Sequence, residues 1–120
     1  MKFCWTTIMV KDMEASLAFY TEVLGLKVNR QYQAGPDAKI AFLGEGDTEV
    51  ELICNTGKPE VHYGDDISMG FEVQSLEEVL SLLKQRGIDP ITDILKPNPH
   101  VQFFYVRDPN GLKIQFVQNL

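Results

Sequence analysis

Ser75-Leu76-Glu77-Glu78-Val79-Leu80-Ser81-Leu82-Leu83-Lys84-Gln85-Arg86-Gly87 reads as a helix with both ends marked. Ser75 and Glu78 are spaced as a capping box, so that the hydroxyl can serve one of the orphan N–H groups of the first turn. Leu76, Val79, Leu80 and Leu83 recur at i, i+3, i+4 and i+7, and Gly87 ends the pattern. A second helix is written earlier on the same plan. Asp12 is its N-cap, residues 13–24 carry Leu17, Tyr20 and Leu24 on one face, and Gly25 is its stop. The two caps lie 63 residues apart and the two stops 62, so one structural plan is used twice.

Strand-like segments flank each helix in matching order. One precedes it, at 3–10 and 67–73. Three follow it, at about 26–33, 39–44 and 49–54 in the first half and about 89–95, 100–106 and 112–118 in the second. Turn residues separate them: Gly44-Glu45-Gly46-Asp47 before the fourth strand, Arg107-Asp108-Pro109-Asn110-Gly111 before the last. The Asp-Pro-Asn-Gly turn is read as structural, because Pro sets φ and Asn-Gly supplies the reversal. The expected fold is α+β, two tandem β-α-β-β-β modules forming curved sheets around a cleft. One domain over residues 1–120 is expected, with modules at about 1–56 and 65–120 joined by a polar link.

Alternation along the strands assigns faces. Leu112, Ile114 and Phe116 oppose Lys113, Gln115 and Val117, while Val50, Leu52 and Cys54 oppose Glu49, Glu51 and Ile53. In the first strand Cys4, Thr6, Ile8 and Val10 oppose Phe3, Trp5, Thr7 and Met9, and in the fifth Ile67, Met69, Phe71 and Val73 oppose Ser68, Gly70 and Glu72. The apolar faces in the strands from 49, 67 and 112 suit packing under the helices. The mixed faces suit a cleft. The repeat pairs Trp5 with Ser68 and Glu51 with Gln115, all on the mixed face.

Bulk properties narrow the partners. A chain of 120 residues, 44% apolar, can bury a core without metal or disulfide. A net charge of −6 and scattered Lys and Arg argue against a nucleic-acid partner. No apolar run approaches the roughly 18 residues of a spanning helix, so no membrane partner is expected. Cys4 and Cys54 stand in no metal or redox spacing, and the N-terminus has no signal-peptide pattern. Both cysteines therefore read as reduced, buried thiols of a cytoplasmic protein.

Met9-Val10-Lys11-Asp12, Ser16-Leu17-Ala18-Phe19-Tyr20, Val23-Leu24-Gly25-Leu26 and Arg107-Asp108-Pro109-Asn110-Gly111 together resemble the vicinal oxygen chelate superfamily. That group includes glyoxalase I, bleomycin-resistance proteins, fosfomycin-resistance thiol transferases and extradiol dioxygenases. The resemblance spans essentially the whole chain and implies paired β-α-β-β-β modules and a homodimer. It is nearest in pattern to short bacterial glyoxalase I, whose metal ligands, His, Glu, His and Glu, match Trp5, Glu51, Ser68 and Gln115 here. Only Glu51 keeps its type. Indole offers a donor N–H alone, and Ser and Gln are neutral oxygen ligands. No cofactor and no divalent metal are therefore expected. His62 and His100 are read as surface or rim histidines.

The candidate ligand-binding residues are Trp5, Thr7, Glu51, Ser68, Phe103, Tyr105 and Gln115. Trp5 offers a stacking platform or fills the space an imidazole would leave. Phe103 and Tyr105 lie on the cleft parity of the seventh strand. In the fosfomycin-resistance branch the position matching Tyr105 carries a substrate-facing tyrosine. Glu51 is the candidate catalytic group, a partly desolvated carboxylate able to act as general base or as hydrogen-bond anchor. Glu72 and Arg107 read as rim groups. The expectation is a metal-independent protein binding a small organic molecule. The alternative is a lactoylglutathione lyase-like or other isomerase or lyase, with Glu51 as base or metal ligand.

Overall fold

The computed structural model describes residues 1–120, and the chain divides into two compact units, Met1–His62 and Tyr63–Leu120. The boundary falls within the link that separates the two halves of the repeat. The first unit contains β1 (Trp5–Met9), α1 (Met13–Ala18), a wide π-helical turn (Phe19–Val23), β2 (Val28–Ala34), β3 (Ala38–Leu43) and β4 (Glu49–Asn55). The second contains β5 (Ser68–Glu72), α2 (Leu76–Gln85), β6 (Leu95–Asn98), β7 (Val101–Arg107) and β8 (Lys113–Asn119). The sheet orders are β1-β4-β3-β2 and β5-β8-β7-β6, with the first pair parallel in each and the remaining pairs antiparallel. The architecture is the α+β repeat expected from the sequence.

Both caps form as the side-chain chemistry dictates. The N–H groups of Glu14 and Ala15 donate to Asp12 Oδ1 at 2.9 and 3.3 Å, and the Glu78 N–H donates to Ser75 Oγ at 3.2 Å. The second helix has a further anchor, since the Leu76 N–H donates to Gln118 Oε1 on β8 at 3.0 Å. Gly25 and Gly87 take φ of +70° and +68°, the left-handed conformation that a helix stop requires.

The first helix departs from expectation. Instead of running regularly over 13–24, it turns α-helical only to Ala18 and then widens, so that the Leu24 N–H bonds to the Phe19 carbonyl. Thr21 Oγ1 donates to the Leu17 carbonyl at 2.6 Å, a back-bond that competes with the regular ladder. The widening rotates the last turn. Phe19, Tyr20 and Val23 are buried, whereas Leu17 and Leu24 remain partly exposed.

The sixth strand is also displaced, to Leu95–Asn98 rather than 89–95. Residues 91 and 92 still run beside β7: the Ile91 N–H donates to the Tyr105 carbonyl, while the Tyr105 N–H donates to Thr92 Oγ1. A hydroxyl thus stands in for a backbone carbonyl, and the regular ladder begins later. Pro97 is tolerated because β6 is an edge strand.

Each unit buries its helix-facing sheet surface. In the first, Ile8, Ala41, Leu43, Val50 and Leu52 pack with Val10, Met13, Phe19, Tyr20 and Val23. In the second, Phe104, Val106, Ile114 and Phe116 pack with Leu76, Leu83 and Leu112. Full burial of each Val, Leu, Ile, Met or Phe among them contributes about 1.5–3 kcal/mol. Three residues expected to be covered need correction. Ile67 lies ahead of β5 and is exposed, beyond the sheet surface that the helix covers. Cys4, also ahead of its strand, is exposed, and Cys54 near the end of β4 is only half-buried, its Sγ donating to the Lys11 carbonyl at 3.6 Å. Both thiols are free.

Candidate functional site

On the first sheet the strand register brings Trp5, Thr7, Phe42 and Glu51 to one face. Thr7 lies across from Glu51 in β1–β4, and Glu51 lies across from Phe42 in β3–β4. Glu51 is buried, and Thr7 Oγ1 donates to its Oε1 at 2.5 Å. Trp5 remains 41% exposed and meets the buried Phe42 ring edge-on, with centroids 5.1 Å apart and planes at 77°. Trp5 is therefore partly open rather than fully packed.

A second layer steadies that face. The Arg30 guanidinium lies 3.9 Å from the centre of the Phe42 ring and pairs with Glu49 at 3.4 Å. Asn29 Nδ2 donates to Glu49 Oε2 at 3.0 Å and to the Gly44 carbonyl at 2.5 Å. Phe42 and Arg30 were not among the sequence candidates. Parity along 39–44 separates the two faces of that strand, but only the register of β3 against β4 places Phe42 beside Glu51.

The second sheet holds Ser68, Gly70, Phe103, Tyr105 and Gln115 on its corresponding face. Gln115 lies across from Gly70 on one side and Tyr105 on the other. Its Nε2 donates to Tyr105 Oη at 3.1 Å, and Tyr105 meets Phe103 edge-on at 5.9 Å. A Cβ at position 70 would come within 3.1 Å of Gln115 Oε1, so glycine leaves the amide its room. Ser68 is exposed. Glu72 accepts from Asn119 Nδ2, and Arg107 Nη1 donates to the Gly111 carbonyl at 2.9 Å, so each serves the strand ends.

The turn before β8 is built from its own side chains. Asp108 Oδ1 accepts from the N–H groups of Asn110 and Leu112 at 2.8 and 2.9 Å, and both Asp108 and Asn110 are buried. Burial and the charge of Asp108 push the Tyr63 phenol well above its ordinary value.

Of the four residues that the resemblance matches to metal positions, Glu51 is the one anion; Trp5 is an indole, Ser68 a hydroxyl and Gln115 an amide already bonded to Tyr105. No group of three or more His, Cys, Asp or Glu side chains converges to hold a metal ion. His62 and His100 are both exposed, and His62 sits 3.7 Å from the exposed Glu60. No helix is long and apolar enough to cross a membrane.

A family model for the Glyoxalase/Bleomycin resistance protein/Dioxygenase superfamily matches residues 2–116, and the chain belongs to that superfamily. Among its relatives is a lactoylglutathione lyase of Neisseria meningitidis, 31% identical over 98% of this chain and 91% of that one. The Bacillus subtilis protein YwbC is 35% identical over 94% of each chain. Among solved structures, the trypanothione-dependent glyoxalase I of Leishmania major is similar with a TM-score of 0.82 and 26% identity, covering 98% of this chain and 86% of that one.

Proposed function

We propose that this chain is a metal-independent small-molecule-binding member of its superfamily, with Glu51 serving as a ligand anchor instead of a metal ligand. The observation that carries this reading is the state of Glu51: a buried carboxylate oriented by the Thr7 hydroxyl, with the half-exposed Trp5 on the same face. The residues at the family's metal positions do not fit a divalent ion. One carboxylate with two neutral oxygens lacks the imidazole and anionic donors that hold Ni²⁺ or Zn²⁺, and Trp5 has no lone pair to offer. In this reading the ligand-contacting residues are Trp5, Thr7 and Glu51 on the first unit's sheet, and Ser68, Phe103, Tyr105 and Gln115 on the second unit's sheet. The protein works as a cytoplasmic homodimer, a compartment in keeping with its free thiols.

Elemental analysis of the purified protein tests the metal claim. Substoichiometric Ni²⁺, Zn²⁺ and Co²⁺ are expected, together with no turnover of the methylglyoxal–glutathione hemithioacetal when those ions are added. Chelator-sensitive turnover overturns the reading. Sedimentation showing a monomer at micromolar concentration removes the dimer.

The 31% identity to a lactoylglutathione lyase favours a second reading, a lyase or isomerase in which Glu51 is the base. Under it, Glu51→Gln abolishes turnover while ligand binding persists.

A further inference from the structure

We infer that the ligand group received by Glu51 is an organic ammonium, with Thr7 as the positioning residue that aims the carboxylate. This deepens the reading above and rests on it. Glu51 is 8% exposed, yet its only side-chain partner is neutral. No Lys, Arg or His lies within ion-pair distance of it, and Arg30, the only arginine in the first unit, is committed to Glu49 and the Phe42 ring. A carboxylate withdrawn from water without a counter-cation is costly, and a cationic ligand relieves that cost.

The geometry of the carboxylate points the same way. Thr7 occupies Oε1, and no side-chain oxygen or nitrogen in the structure is buried without a partner. The second oxygen of Glu51 is therefore the one that solvent reaches. An ionised carboxylate oxygen only accepts hydrogen bonds, so its complement is a donor, and a charged N–H donor forms the stronger, charge-assisted bond. The half-open indole of Trp5 supplies aromatic surface, which attracts cations and holds an apolar body, while Phe42, directly across the strand from Glu51, is buried under Arg30 and backs the indole.

Space for that body lies beside Trp5. The indole lines an open pocket of about 570 Å³, within the range for small ligands. Its rim includes Glu45, Asp47 and Glu49, against the single basic residue Lys2. Glu51 does not line this pocket; Trp5 belongs both to it and to the Glu51 face. An ammonium at Glu51 with an organic portion extending past Trp5 fits this arrangement.

Trp5 is the only tryptophan in the chain, so its fluorescence reports the site without ambiguity. Titration with benzylammonium, benzyl alcohol and benzoate at pH 7 tests the inference. Benzylammonium should give a saturable change and bind about ten-fold or more tightly than benzyl alcohol, with benzoate weakest. Glu51→Gln, which keeps the side-chain volume, should erase that preference while far-UV circular dichroism stays unchanged. Thr7→Val should reduce the preference and Thr7→Ser restore it, a rescue that loss of packing alone would not produce. Equal binding of benzylammonium and benzyl alcohol overturns the ammonium assignment and leaves a small-molecule site standing. Silence from all three probes overturns both. A preference that survives Glu51→Gln places the cation elsewhere and overturns the role of Glu51, and one unchanged in Thr7→Val overturns that of Thr7.

Discussion

The two sheets share a strand order and a register, but they carry opposite chemistry at the same place. In the first, β1 sets Thr7 beside Glu51; in the second, β5 sets Gly70 beside Gln115. The acid is buried and held by a hydroxyl from its parallel neighbour. The amide is held by a phenol from its antiparallel neighbour, Tyr105, and needs the glycine opposite to leave it space. A duplicated backbone therefore preserves where a polar side chain emerges and leaves free both its charge and the direction from which it is oriented. At this matched place the buried charge without a cationic partner belongs to the first sheet, as the proposed ammonium site requires.

Core packing provides the strongest test of the equivalence. Leu52 and Phe116 occupy matching positions on β4 and β8, and both are almost fully buried. Phe116→Ala should cost about 3–5 kcal/mol and Leu52→Ala about 2–5 kcal/mol in urea denaturation, each by removing apolar burial and leaving a cavity. A change well below these values in only one unit would show that the two cores are not alike.

The caps should separate by a smaller margin. Asp12→Ala removes the acceptor of two backbone N–H groups and Ser75→Ala the acceptor of one. Losses of about 0.5–2 kcal/mol are expected, larger at Asp12. Equal losses would mean that the charge and second bond of Asp12 add nothing.

Converting one sheet toward the other sharpens the contrast further. Gly70→Thr brings β5 to the sequence of β1 at this place, with its Cβ close to the flexible end of Gln115. The amide can give way, and Thr suits a strand better than Gly, so stability should change by no more than about 1 kcal/mol. The Gln115–Tyr105 bond should be lost, which a crystal structure or the amide resonances of Gln115 would report. A large destabilisation would show instead that the amide is immovable.

The smallest effect belongs to Tyr63, which has no counterpart in the first unit. Its phenol titrates above the ordinary value of 10 because burial, then Asp108, disfavour the phenolate. A folded value above the unfolded one stabilises the native state fully below pH 10, and that contribution is lost as pH rises beyond it. Tyr63 should ionise at higher pH than the exposed Tyr32 in an absorbance titration, and Tyr63→Phe should flatten the alkaline decline in stability. Ionisation together with the exposed Tyr32 would contradict this.

Much of this plan is legible in the residues. The caps at Asp12 and Ser75, the glycine stops and the parity of β1, β4, β5 and β8 are local signals, and local chemistry settled them. The widened turn at Phe19–Val23 was not legible, since an α-helical period describes residues 13–24 equally well until the Thr21 hydroxyl and the packing of Val23 are known. The late start of β6 likewise depends on Thr92 reaching the Tyr105 N–H, thirteen residues away.

By itself, then, the sequence determined the twofold plan, the face on which Glu51 and Gln115 emerge, and the poverty of metal donors at the matching positions. Tertiary structure alone decided that Thr7 grips Glu51 across 44 residues, that Phe42 stands opposite it, and that Arg30 is spent on Glu49. The physical reason is range. A cap or an alternating strand is set by neighbours a few residues away, whereas a carboxylate's partners are set by strand register, which exists only once distant segments have paired.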